Sequence, residues 1–214
     1  ENAILGQLNM ENKDGSRTVV ATDEGVRWSE GAIRYADLYI GEYYDSHNVQ
    51  EGWNRADFQM DHTWKAAVVR DYGYATLAMQ TISGIKEIRT IRPEILFAPN
   101  GDMLLDAGEN IVGYVSFELD LKAGDTISME HSETLDRDGN YIQNIIGQNK
   151  DQMDFYVACA DGAVTYKPEF TFHGFRYVRV NGTKDADEGH YRIHVIGTPL
   201  RKTGEFTCSD DRLN

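Results

Sequence analysis

Tyr114-Val115-Ser116-Phe117-Glu118-Leu119-Asp120-Leu121 sets an apolar residue at every second position. Val115, Phe117, Leu119 and Leu121 alternate with Ser116, Glu118 and Asp120. A strand points successive side chains to opposite faces, so this segment buries one face and wets the other. Ala123-Gly124-Asp125 then turns the chain, and a second strand is predicted around Thr126 to Glu133. Tyr191 to Val195 repeats the alternation, with Tyr191, Ile193 and Val195 inward and Arg192 and His194 outward.

Turn residues punctuate the rest. Asp138-Gly139 and Asn181-Gly182 both offer positive-φ positions for tight turns. Nowhere does a helical period run over about twelve residues, although Asp61 to Arg70 and the N-terminal residues hint at a helical turn. The predicted fold class is all-β, an antiparallel β-sandwich. A boundary is expected near Thr81 to Glu87, giving units at 1–84 and 85–200. The first is rich in aromatics (Trp28, Tyr35, Tyr39, Tyr43, Tyr44, Trp53, Trp64) and short for a sandwich, which usually takes ~100 residues, so it reads as partial.

The 214 residues carry 21 basic and 35 acidic side chains, hence 21 − 35 = −14. That excess argues against nucleic acid and anionic membranes as partners. No apolar run approaches the ~18 residues of a membrane span, and the N-terminus lacks the pattern of a signal peptide. Glu1 is not an initiator Met, so a processed protein or an excised piece is expected. Two cysteines form no disulfide framework, and the alternation of Phe155, Val157 and Cys159 predicts a buried, inert Cys159 thiol.

Few motifs carry chemistry. Asp136-Arg137-Asp138-Gly139-Asn140 starts like a calcium loop but has Tyr141 and Gly147 where Gly and Glu belong, so a hairpin turn is the better reading. Asp185 to Gly189 reads as a solvated loop, and no His, Cys or carboxylate spacing suggests a metal site. Asn181-Gly182-Thr183 fits a glycosylation sequon and equally a tight turn. No pair of carboxylates stands out for glycoside chemistry. Two clusters remain. Glu42, Asp45 and Trp53 could bind carbohydrate, an aromatic face meeting sugar C–H groups and carboxylates meeting hydroxyls. Core packing and loop holding explain them as well. His173 and Arg176, within Phe170 to Tyr177, read as structural or interface residues, paired with carboxylates.

Several runs together resemble the bacterial α-L-rhamnosidases of glycoside hydrolase family 78. Asp106-Ala107-Gly108-Glu109-Asn110-Ile111-Val112-Gly113 matches a D-x-G-x-N-x-x-G run of the family's concanavalin-like domain. Glu133-Thr134-Leu135, Asp138-Gly139 and Asp154-Phe155-Tyr156 follow in order, and Pro168 to Tyr177 matches P-x-F-T-x-H-G-F-R-Y. Upstream, Asp37 to Asp45 resembles D-x-Y-x-G-E-x-Y-D of the N-terminal domain, with Ser46-His47 replacing Ala-Arg. Residues 201–214 resemble the lead into an (α/α)₆ catalytic barrel. The resemblance implies a jelly-roll or concanavalin-like sandwich that supports the barrel of an enzyme hydrolysing terminal α-L-rhamnosyl residues with inversion. It implies no catalytic residue in this chain; no cofactor is expected, and no residue here is assigned as a metal ligand. The expected partners are a rhamnose-containing glycoside or polysaccharide and the enzyme's own barrel. A stand-alone carbohydrate-binding module is the alternative. The source is expected to be bacterial, with the compartment open between cytoplasm and periplasm or exterior.

Overall fold

The structure is a computed structural model that describes residues 3–73, 77–145 and 147–214. Glu1, which bears on processing, lies outside them. Among the described residues the strands are β1 (Gln7–Glu11), β2 (Arg17–Ala21), β3 (Arg27–Trp28), β4 (Ile33–Asp37), β5 (Gly41–Asp45), β6 (Lys65–Ala66) and β7 (Lys86–Ile91). They continue as β8 (Glu94–Phe97), β9 (Met103–Leu121), β10 (Thr126–Ser132), β11 (Met153–Val157), β12 (Gly162–Tyr166), β13 (His173–Asn181) and β14 (Tyr191–Gly197). Helical structure among them is confined to short 3₁₀ turns at Ser46–Asn48, Glu188–His190 and Asp211–Leu213. The fold is all-β.

The strands divide into two compact units, Glu1–Gly31 with Asn48–Ala78, and Ala32–His47 with Met79–Asn214. The smaller unit holds two two-stranded sheets, β1–β2 and β3–β6. The helical hints in the N-terminal residues and Asp61–Arg70 are overturned here. Gln7–Glu11 pairs with Arg17–Ala21. The Asp61 carboxylate accepts from the N–H and hydroxyl of Thr63, which closes a turn, and Lys65–Ala66 then pairs with Arg27–Trp28. A short polar side chain that bonds its own backbone two residues on competes with helix formation. Phe58 and Trp64 meet edge to face, and the Trp64 indole N–H donates to Gln50 Oε1 at 2.8 Å.

The larger unit is one curled, ten-stranded sheet with the path β4-β5-β11-β10-β13-β9-β14-β7, and β8 and β12 pair with β9 off that path. The 19-residue β9 makes the curl possible. Its first half pairs with β8 and β13, its second with β14 and β12. β8 pairing ends at Asp106, where a bulge follows: residues 107–110 of β9 stand between the pairs Tyr177↔Asp106 and Phe175↔Ile111, and β13 pairs on to Gly113, where β14 takes up. Gly108 turns the bulge at φ 78°, and its N–H donates to Asp106 Oδ1 at 2.7 Å. Such bulges bend a strand and sharpen its twist.

Between the layers, the predicted inward residues of β9 and β14 are all buried and form one apolar core with Ile127, Met129, Tyr156, Tyr166 and Phe175. Burying each large side chain is worth roughly 1.5–3 kcal/mol. Two departures from the sequence expectation occur. The β5–β11 pair is parallel, with Tyr44 opposite Tyr156, in an otherwise antiparallel sheet. And β11 has the opposite phase: Asp154, Tyr156 and Ala158 are buried, while Cys159 lies exposed beyond the strand end.

Candidate functional site

The polar interior of the larger unit begins with a glycine. Gly41 has φ 116°, and a Cβ there would lie 2.0 Å from the carbonyl oxygen of Met153. Only glycine lets β5 enter so close to β11 in this conformation. The next residue, Glu42, is thereby carried inward to 1 % exposure. Its N–H donates to Asp154 Oδ1 at 3.0 Å. Its Oε1 accepts from the Tyr166 hydroxyl at 3.0 Å, and its Oε2 from the N–H groups of Glu169 and Phe170 at 3.0 and 3.1 Å. Burial raises the Glu42 carboxyl above the ordinary glutamate range, against the lowering pull of those hydrogen bonds. Burial also pushes the Tyr166 hydroxyl upward, so it stays a neutral donor.

The other proposed sugar contacts sit elsewhere. Asp45 ends β5 and its Oδ1 receives the N–H of His47 at 3.0 Å and contacts His47 Nδ1 at 2.8 Å. Trp53 belongs to the smaller unit, where its N–H donates to Gln50 O and its side chain leaves the residue 64 % exposed. The Asp136–Asn140 run forms the expected hairpin turn, with Asp136 Oδ1 accepting from the N–H groups of Asp138 and Asn140.

His173 and Arg176 are both held by carboxylates. Arg176 donates through Nε and a terminal nitrogen to the two oxygens of Asp106, each at 2.9 Å, and its guanidinium lies 4.9 Å from the Tyr177 ring centre. Burial pushes the Asp106 carboxyl up, but the Arg176 and Gly108 donors hold it below the usual range. The ion pair thus clamps the β9 bulge. His173 Nε2 lies 3.1 Å from Asp154 Oδ1, with both side chains fully buried.

Beside that pair stands His131, which sequence reasoning missed. Its ring stacks on His173 with centroids 4.0 Å apart and meets Phe175 edge-on at 4.7 Å. Its Nδ1 is 2.9 Å from Gln152 O, which can only accept, so Nδ1 carries the proton and Nε2 the lone pair. Burial, and then the neighbouring His173, push the His131 imidazole down to about 3. Burial pushes Asp154 up, yet His173 and the other donors outweigh it and the carboxyl stays below its usual range. A signal was available, since Ile127, Met129 and His131 share one buried strand face.

A fourth cluster lies on the sheet face near edge strand β7. Ser116 Oγ is 2.8 Å from His194 Nε2, and His194 Nδ1 is 2.9 Å from Glu87 Oε1. Tyr114 and Lys167 also reach Glu87. His194 above all lowers the Glu87 carboxyl to about 2, beyond the raising effect of desolvation. The cluster ties β7 through side chains to β9 as well as to its backbone partner β14.

Comparison with known proteins covers nearly the whole chain. Residues 97–197 match the family model described as "Bacterial alpha-L-rhamnosidase concanavalin-like domain", and residues 1–89 the "Alpha-L-rhamnosidase N-terminal domain". An alpha-L-rhamnosidase of Streptomyces avermitilis is 34% identical over 208 residues, which cover 96% of this chain and 20% of that protein. The crystal structure of native alpha-L-rhamnosidase from Aspergillus terreus superposes with a TM-score of 0.89 at 27% identity, covering 98% of this chain and 24% of the other. The Streptomyces avermitilis enzyme complexed with L-rhamnose gives a TM-score of 0.85 at 30% identity, over 98% and 20% of the two chains. The chain spans less than a quarter of the length of the curated relatives it matches.

Proposed function

The chain belongs to the bacterial alpha-L-rhamnosidases, whose N-terminal and concanavalin-like domains it carries, and from that premise we propose that it is the non-catalytic β part of such an enzyme. The whole enzyme hydrolyses terminal α-L-rhamnosyl residues of a glycoside or polysaccharide with inversion, through a catalytic barrel that this part supports. One observation carries the reading. The carboxylates that burial sets apart, Glu42, Asp106 and Asp154, are all committed to internal donors. Inverting glycoside hydrolysis needs an acid and a base facing each other across a sugar, roughly 6.5–9.5 Å apart, with room for water. A closed-in Glu42 with a raised pKa has the protonation tendency of a general acid and none of the access.

A second reading, a binding module for rhamnose-containing glycans, draws support from exposed aromatics. Trp53 is 64 % exposed and Tyr39 is 60 % exposed. Among Glu42, Asp45 and Trp53, Trp53 is the contact this reading rests on, because Glu42 has both oxygens engaged inside the sheet. Calorimetric titration of the purified chain with L-rhamnose, with and without calcium, separates the two. The support reading expects no saturable heat. Saturable heat that Trp53→Ala abolishes replaces it with the module.

A further inference from the structure

Three strands of the larger unit bring three metal-ligating side chains into one dry place. His131 on β10, Asp154 on β11 and His173 on β13 offer ligand atoms that all lie within 4.8 Å of one another. Their side chains are fully buried.

The geometry is odd for a closed hydrogen-bond network. His131 Nε2 faces Asp154 Oδ2 at 3.9 Å, too long for a hydrogen bond. Both atoms are buried and lack a hydrogen-bond partner among the described residues, as does His173 Nδ1. With Nδ1 turned to Gln152 O and no hydrogen bond made at Nε2, Nε2 is the ring nitrogen left to act as a ligand, and it points at a carboxylate oxygen. Two desolvated acceptors facing each other are unfavourable unless something positive lies between them.

A cation resolves the conflict. Two bonds of about 2.1 Å to a shared ion of the zinc class place their ligand atoms roughly 3–4 Å apart. The observed separations, 3.1 Å for His173 Nε2 to Asp154 Oδ1 and 3.9 Å for His131 Nε2 to Asp154 Oδ2, span that interval. The stacked rings present both Nε2 edges to the same carboxylate. The surrounding contacts are those that orient metal ligands: a histidine N–H on a backbone carbonyl, and a backbone N–H, that of Glu42, on the carboxylate. Two imidazoles and one carboxylate suit a transition ion better than calcium or magnesium, which prefer oxygen alone.

We propose that His131, Asp154 and His173 form an interior binding site for a divalent transition ion of the zinc class, joining β10, β11 and β13. Binding through His173 Nε2 requires that nitrogen to give up the proton it directs at Asp154 Oδ1; the proton moves to Nδ1 of the same ring, which has no other hydrogen-bond partner among the described residues, so the imidazole stays neutral as a ligand. The site is closed, so the ion enters as the chain folds.

The test uses the full 214-residue chain, unfolded in guanidinium with EDTA and refolded with or without zinc chloride. After desalting, about one zinc per chain is expected, with a melting temperature raised by roughly 5 °C. His131→Gln should lose the zinc and the shift, whereas His47→Gln, a surface control, should keep both. X-ray absorption at the zinc edge of the unmutated chain decides the matter should His131→Gln fail to fold: outer-shell imidazole scattering supports the site. An oxygen-only shell overturns it. So does a refolded chain that holds essentially no zinc, or a folded His131→Gln that retains its full share.

Discussion

Gly41 shows how one residue sets the interior. Its φ of 116° and the 2.0 Å approach of a Cβ to Met153 O leave no room for a side chain. Gly41→Ala is expected to destabilise the larger unit by about 2–4 kcal/mol, read by urea denaturation, because both strain and collision must be relieved. Asp106 acts at the same scale. Asp106→Asn removes the charged partner of Arg176 and is expected to cost about 1–3 kcal/mol in the same measurement. The thiol of Cys159 gives a third check. It is exposed, so it should react with a thiol reagent in the native state at close to the rate of a free thiol; slow reaction that needs denaturant would restore the buried reading. The sequence misled on this thiol for a physical reason. Phe155 and Val157 look like the buried set by hydropathy, but the strand instead turns Asp154 and Tyr156 inward, where His173 and the Glu42 N–H both meet Asp154 Oδ1.

Among elements, β9 was legible and β5 was not. The alternation in Tyr114–Leu121 predicts its buried face residue by residue, because an unbroken apolar stripe has one way to be hidden. The parallel pairing of β5 with β11 joins segments 112 residues apart at Glu42 and Asp154, and no local pattern encodes such a distance. The buried cluster was half legible. His173 drew notice as a residue paired with a carboxylate, but its partner Asp154 and the neighbouring His131 come from other strands, which only the fold brings together. Edge strand β7 yields a pH prediction. Glu87 is lowered to about 2 from 4.5, chiefly by His194, so the folded state binds fewer protons than the unfolded state between those values. Stability from this contact is present above about pH 4.5 and lost as pH falls toward 2. Hydrogen exchange should show β7 losing protection over that window, and Glu87→Gln should flatten the loss.

At the scale of the whole molecule, the two units differ in what holds them. The larger has a continuous apolar core, whereas none of the described residues of the smaller is buried. Two-stranded sheets without a buried face are marginal in water. Limited proteolysis is therefore expected to cut within 3–31 or 48–73 well before it cuts the larger unit. The same contrast suits the proposed supporting role. Its burial builds one continuous sheet, and its interior carboxylates are closed off from solvent. That claim is tested most directly by incubating the purified chain with a nitrophenyl α-L-rhamnoside and following nitrophenol release. The account predicts a rate indistinguishable from buffer. Release that scales with protein concentration would contradict it.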